Sequence, residues 1–235
     1  MKFLLALFAA LNFAFAGSNT ELIKQLFTDP NFNKTAHFAG EMKEPKFSVG
    51  KDVTLKGVSS LGIGESQDES DKYKVIRASI EQKDDWFDLY FFVKDEKIYA
   101  VRVLALMQIP KQIARSYDRA SEADRRIIDI GQIRLMIARD SELVAFGRQN
   151  LDKFETIFQA KSAGEGAKAE QILSELHFTS AEFQNEIFIL TIGGVTDNTV
   201  GFMRADEPSK LPKMSPHEYI MIEQISPKWY LFKTT

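Results

Sequence analysis

The sequence predicts an α+β protein in which an antiparallel sheet, assembled from a central three-stranded meander and two C-terminal hairpins, packs on a helical middle segment. Three observations predict this fold class. β-rich runs joined by short charged turns come first, a helix-favouring composition follows from 111 to about 178, and β-rich runs return from 186 onward. Segregated runs of strands and helices are typical of α+β proteins.

The first 16 residues resemble a secretory signal peptide. They read MKFLLALFAALNFAFA, with an early cation at Lys2, an apolar centre, and small residues at Ala14 and Ala16 before Gly17. This layout predicts cleavage between Ala16 and Gly17. A membrane anchor is the alternative, but a spanning helix needs about 20 apolar residues and this run ends sooner. We therefore expect a secreted or periplasmic protein with no membrane span after signal removal.

The composition restricts the chemistry and the partners. The chain has no cysteine, which excludes disulfides, thiolate metal sites and a thiol nucleophile. Small secreted animal domains are commonly rich in disulfides, so the absence favours a bacterial setting. The 30 basic and 33 acidic side chains are interspersed. Because nucleic-acid binding requires clustered Lys and Arg, we expect no nucleic-acid partner.

The segment after the signal begins with a predicted short helix. Ser18 or Thr20 can cap it, and apolar residues share one face through Phe27 before Asp29 and Pro30 end it. Few apolar residues follow as far as Asp71. We expect one or two short strands in this stretch and a mobile loop over 59–71.

The central meander has the clearest pattern. Three β-rich runs cover 73–80, 86–93 and 97–107, and charged turns at 82–85 and 94–96 separate them. Turns this short join antiparallel neighbours.

The middle segment has a helical composition. Ser121 with Asp124 forms a start resembling a capping box, and 151–160 and 167–176 carry apolar residues at helical spacing. The segment 127–137 is open, since Ile133, Leu135 and Ile137 alternate as in a strand. We keep both the helix and the strand there.

The C-terminal region predicts two hairpins. Their strands cover 186–192 with 199–204 and 218–225 with 228–233, and a proline-rich connection lies between them. We expect one compact domain over 17–235, with the alternative of a β-rich part over 17–110 and a helical and β part over 111–235.

Three of these strands are apolar at nearly every position: Leu89–Val93, Ile187–Leu190 and Tyr219–Ile222. A strand with one face in water alternates apolar and polar residues. Both faces of these strands are therefore predicted to be covered, by the chain itself, a partner chain or a bound apolar ligand.

No catalytic motif is complete. His217-Glu218 begins like a zinc-protease motif, but Met221 replaces the second histidine. The serines and glycines of 57–64 match neither a nucleophile elbow nor a phosphate loop. We expect no metal and no cofactor.

One acidic and aromatic patch is a candidate for ligand binding. Asp84, Asp85 and Asp88 surround Trp86 at a hairpin, where they could bind a cation or stack a sugar. A solvated turn is the alternative interpretation of the same residues.

These observations favour an exported, non-catalytic protein that binds a partner protein or an apolar ligand. The alternative is a secreted or periplasmic hydrolase acting on envelope or extracellular polymers through carboxylates such as those beside Trp86. The sequence predicts no catalytic residue by name.

Overall fold

The computed structural model describes residues 18–43, 52–66, 69–83, 85–105 and 107–235. The chain divides into two compact units. The first unit contains Met1–Val103 and Lys213–Ile220, and the second contains Leu104–Pro212 and Met221–Thr235. Helices and antiparallel sheets make up both, so the predicted α+β class is confirmed. In the described part of the chain, no helix has the length and apolar character needed to cross a bilayer.

The first unit contains a four-stranded antiparallel sheet in chain order. The strands are β1 (Val53–Glu65), β2 (Lys72–Gln82), β3 (Asp85–Lys94) and β4 (Lys97–Arg102). The predicted meander corresponds to β2, β3 and β4, except that β4 ends at Arg102 and not at 107. β1 adds a fourth strand beside β2.

The loop predicted over 59–71 is wrong as far as Glu65, because β1 continues to that residue. Serines and glycines have low strand propensity, but pairing with β2 overrides it. The register of β1 against β2 shifts between Leu55 and Gly57 and again between Ser60 and Gly62. Each shift is a β-bulge, and Gly62 has a φ of 147°, a conformation that favours glycine.

A helix over 18–28, here α1, packs on one face of this sheet. Its predicted apolar face is buried, with Ile23 fully shielded, and the ring of Phe27 meets Phe91 of β3 edge to face at 6.1 Å. The short helix α2 (Lys34–His37) and a 3₁₀ turn at Gly40–Lys43 follow. Ile76 and Phe91 lie at the centre of the resulting core with no exposure.

The second unit begins with six helices: α3 (Gln108–Ser116), α4 (Glu122–Ile127), α5 (Ile130–Met136), α6 (Asp140–Gln149), α7 (Leu151–Ser162) and α8 (Gly166–Glu175). The predicted cap at Ser121 is present, and its hydroxyl accepts a hydrogen bond from the Asp124 amide. The open segment 127–137 forms the end of α4 and all of α5. Asp129 caps α5 by accepting from the Gln132 amide at 3.0 Å, so capping outweighs the alternating isoleucines.

The sheet of the second unit has five antiparallel strands. They are β5 (Ser180–Gln184), β6 (Ile187–Val195), β7 (Asn198–Arg204), β8 (Tyr219–Gln224) and β9 (Trp229–Thr234), in the spatial order β5-β6-β7-β9-β8. Both predicted hairpins are present as β6–β7 and β8–β9. The short, largely exposed strand β5 was not predicted, since its sequence SAEFQ has little apolar character.

Aromatic side chains form the core of the second unit. Phe154 of α7 is fully buried, and its ring centroid lies 4.8 Å from that of Phe202, 5.2 Å from Trp229 and 5.7 Å from Phe178. Phe146 stacks on Phe202 at 6.4 Å. This cluster joins α6 and α7 to the central strands of the sheet.

The prediction that three strands are shielded on both faces is confirmed. Leu89–Val93 and Ile187–Leu190 are buried throughout, and so are Ile220, Met221 and Ile222, whereas Tyr219 is partly exposed. The chain alone produces this burial. The shielded strands therefore give no argument for a ligand or a partner on the sheet faces.

Gly147, inside α6, gives a test of this packing. A Cβ there would lie 2.6 Å from the Phe202 ring and 2.7 Å from Ile225. We expect Gly147→Ala to destabilise the protein by about 1–3 kcal/mol, although alanine is the better helix former. The control is Gly166→Ala at the start of α8, where a Cβ meets nothing within 4 Å, and we expect it to be neutral or slightly stabilising. Urea denaturation of both variants measures the difference, and equal effects would contradict the packing argument.

Candidate functional site

The acidic patch predicted around Trp86 does not bring its described aspartates together. β2 and β3 pair without a register shift, with Gln82 opposite Asp85 and Ser79 opposite Asp88. Side chains alternate along a strand, so Asp85 lies on one face of the sheet, and Trp86 and Asp88 lie on the other. Asp84 lies outside the described residues, as do Ala16 and Gly17 of the expected cleavage site.

Each of these two aspartates accepts a hydrogen bond from a residue close to it in the sheet. Asp88 accepts a hydrogen bond from the Ser79 hydroxyl at 2.5 Å, and the Asp85 carboxylate accepts one from the Trp86 amide at 3.0 Å. Paired catalytic carboxylates must face the same substrate. No observation here favours the hydrolase alternative.

A second polar pair consists of His177 and Asp129. Nδ1 of His177 lies 2.8 Å from Asp129, and its ring packs so closely on Gly131 that a Cβ there would be 2.4 Å away. Partial burial raises the pKa of Asp129, but hydrogen bonds from the Gln132 amide and His177 outweigh it and hold that pKa below its usual value. The pair links the start of α5 to the end of α8. Among the described residues, no three His, Asp or Glu side chains form a group that could hold a metal ion.

The first unit has an open cavity of about 280 Å³ at one end of its sheet, which we call the end-of-sheet pocket. α1 contributes Ser18 and Asn19 to its wall, the strands contribute its floor, and the β3–β4 turn contributes Asp95 and Glu96 to its rim. The volume is close to the lower limit for small-molecule sites in proteins.

The floor of the end-of-sheet pocket is one row of residues across three strands. Ile63 of β1 pairs with Lys74 of β2, which pairs with Val93 of β3. Val93 is fully buried, Lys74 is partly buried and Ile63 is 53% exposed. Lys72 lies on the same face as Lys74, about 7 Å away along the strand. Apolar surface and ammonium groups therefore meet in one cavity.

Asn19 is the most unusual residue of the wall. It is only 8% exposed, yet its side chain has no hydrogen-bond partner within the described part of the chain. No described side-chain nitrogen or oxygen that is completely shielded lacks a partner. The amide of Asn19 therefore keeps its access to solvent, and the pocket that it lines provides that access.

The charges of the pocket are only partly compensated. The ammonium group of Lys94 forms an ion pair with Asp71 and donates a hydrogen bond to its carboxylate, and this hydrogen bond raises the pKa of Lys94. Within the residues described, the ammonium groups of Lys72 and Lys74 form neither ion pairs nor hydrogen bonds. The lining thus offers two free cations and an amide above an apolar floor, and it includes no histidine that could act as a general base.

Sequence reasoning missed this site for two reasons. It assigned Ile63 to a loop, and it did not anticipate that α1 would place Asn19 above the end of the sheet. One signal was available: Lys72 and Lys74 continue the face that Ile76, Ala78 and Ile80 present to the core. Charged residues on a core-facing row are unusual and point to a functional site.

Comparisons with protein-family models, with curated proteins and with solved structures gave no match. The assignment of the end-of-sheet pocket as the candidate site therefore rests on its geometry alone.

The position of Lys74 leads to a stability prediction. Lys74→Met keeps the aliphatic stem between Ile63 and Val93 and removes a partly buried cation, so we expect it to stabilise the protein by about 0.5–1 kcal/mol. The matched control is Lys34→Met, at an exposed lysine of α2 that has no ion pair among the described residues, and we expect no change there. Chemical denaturation measures both. A destabilised Lys74→Met variant would show that the ammonium group is structural.

Proposed function

We propose that this chain is an exported, non-catalytic binding protein and that the end-of-sheet pocket is its ligand site. The observation that carries the proposal is Asn19, a residue only 8% exposed, whose side-chain amide has no partner in the described chain and faces the pocket. The polar groups of a mostly buried side chain normally hydrogen-bond to protein or to water. A ligand that hydrogen-bonds this amide would supply the missing interaction.

Three further features support the proposal. Lys72 and Lys74 add to the same cavity two ammonium groups that form no ion pair among the described residues. The volume of about 280 Å³ suits a small molecule better than a protein partner, which requires a broad surface. The signal-like residues 1–16 and the absence of cysteine agree with export, in a bacterial setting, to the periplasm or the medium.

A fragment screen by nuclear magnetic resonance tests the proposal. The purified, ¹⁵N-labelled protein is titrated with a library of small organic acids, amines and zwitterions, and the amide signals of the backbone and of Asn19 are followed. We expect a subset of compounds to shift the signals of Asn19, Ile63 and Val93 together. If no compound shifts these signals, or if all shifts lie elsewhere, the pocket is not a ligand site.

A further inference from the structure

We infer that the end-of-sheet pocket recognises a zwitterion with an apolar body, in the class of the free apolar α-amino acids. The inference rests on the proposed function and adds the chemical class of the ligand. Its basis is the order in which charge and apolar surface are arranged across the sheet.

Charges of both signs line the pocket, and the third lysine of the lining, Lys94, is already paired with Asp71. The cations Lys72 and Lys74 belong to β2, whereas the carboxylates of Asp95 and Glu96 belong to the turn that follows β3. Neighbouring strands are about 4.8 Å apart, so a small molecule above β2 and β3 reaches both signs of charge. A carboxylate would lie beside the lysines, and an ammonium group would lie towards the turn.

Glu96 is available for such an ammonium group. Its carboxylate forms no ion pair and no hydrogen bond within the described residues. Its backbone has a φ of 57° and that of Asp95 has a φ of 50°, in a two-residue hairpin turn where Asn and Gly are the favoured residues. The chain thus keeps an acidic residue at a position where glycine would be less strained.

The rest of the lining fits the middle of an amino acid. Ile63 and Val93 provide apolar contacts for its side chain, and the Asn19 amide provides a donor and an acceptor for its polar end. A compact aliphatic amino acid fits a cavity of about 280 Å³.

Other ligand classes fit less well. An uncharged apolar molecule would leave both ammonium groups and the amide without partners. A phosphate would bring its negative charge close to the carboxylates of Asp95 and Glu96. A simple amine would bring its positive charge close to the ammonium groups of Lys72 and Lys74. Like charges that lie close together repel, so a ligand with both signs satisfies the lining best.

Isothermal titration calorimetry with L-leucine and two truncated analogues tests the inference. Isocaproate lacks the ammonium group of leucine, and isoamylamine lacks its carboxylate. We expect leucine to bind at least about tenfold more tightly than either analogue, because each truncation leaves a charged partner unpaired. Inorganic phosphate is the probe for a purely anionic site.

Variants assign each charge. We expect Lys74→Met to weaken leucine and isocaproate by about tenfold without affecting isoamylamine, and Glu96→Gln to weaken leucine and isoamylamine without affecting isocaproate. Lys34→Met should change none of them.

If isocaproate or phosphate binds as tightly as leucine, the inference that the ligand is a zwitterion is wrong. If fragments shift the pocket signals but leucine does not bind, the ligand class is wrong and the binding site stands. If neither leucine nor any fragment affects the pocket, the proposed function fails as well.

Discussion

Replacing Phe154 with alanine is expected to lower the free energy of unfolding of the second unit by about 3–5 kcal/mol. Phe154 is fully buried and contacts Phe178, Phe202 and Trp229, so its loss leaves a cavity where α7 meets the sheet. Aromatic neighbours are too rigid to fill such a cavity completely.

The measurement can be made specific to this unit. The chain has two tryptophans, Trp86 in the first unit and Trp229 in the second. In a Trp86→Phe background, guanidinium unfolding followed by fluorescence therefore reports on the second unit. The control is Phe183→Ala, since Phe183 of β5 is 52% exposed and contacts Phe188 at the edge of the same sheet. We expect a loss of about 1 kcal/mol or less there, and equal losses would contradict the central role of Phe154.

Lys233→Met is expected to destabilise the second unit by about 3–5 kcal/mol. Nζ of Lys233 donates to Oδ1 of Asp140 at 2.6 Å, and the side chains are only 5% and 1% exposed. Removing the cation takes the positive charge of Lys233 away from a carboxylate in the interior, which is far more costly than the loss of a surface pair. The free energy of unfolding, measured as for Phe154, gives the size of the effect.

Two further variants separate the pair from its surroundings. Combining Lys233→Met with Asp140→Leu removes both charges, and we expect the double variant to recover most of the lost stability. Lys153→Met breaks an exposed pair with Glu175, whose side chains are 45% and 47% exposed, and should change stability by less than about 1 kcal/mol. If Lys233→Met is as stable as Lys153→Met, the buried carboxylate of Asp140 is neutralised in another way.

Local patterns predicted most of the fold. The aromatic run after Trp86 and the cap at Ser121 identified their elements because propensity, periodicity and structure agree there. For 127–137, the alternation of Ile133, Leu135 and Ile137 left helix and strand open, and Asp129 before Gln132 is a capping signal that could have decided for helix. Strand β5 and the second half of β1, from 59 to 65, were missed because neighbouring strands, and not their own residues, determine their conformation.

The candidate site was less predictable than the fold. The predicted strand over 86–93 already implied that Asp85 and Asp88 lie on opposite faces, since side chains alternate with a period of two. The end-of-sheet pocket required more information. The pocket depends on how α1 packs on β2 and β3, because this packing places Asn19 in the pocket wall. No local pattern in the sequence predicts that placement.

The two bulges of β1 have a consequence for how molecules of this protein meet one another. β1 is an outer strand of its sheet, and its last residues are covered where Met214 bridges to Gly64. A flat, regular outer strand is a template for pairing with a strand of another molecule, and this pairing leads to aggregation. Bulges after Leu55 and Ser60 interrupt the regular spacing of free amide and carbonyl groups. The irregular border is thus a poorer template for pairing with a second molecule than a regular strand would be.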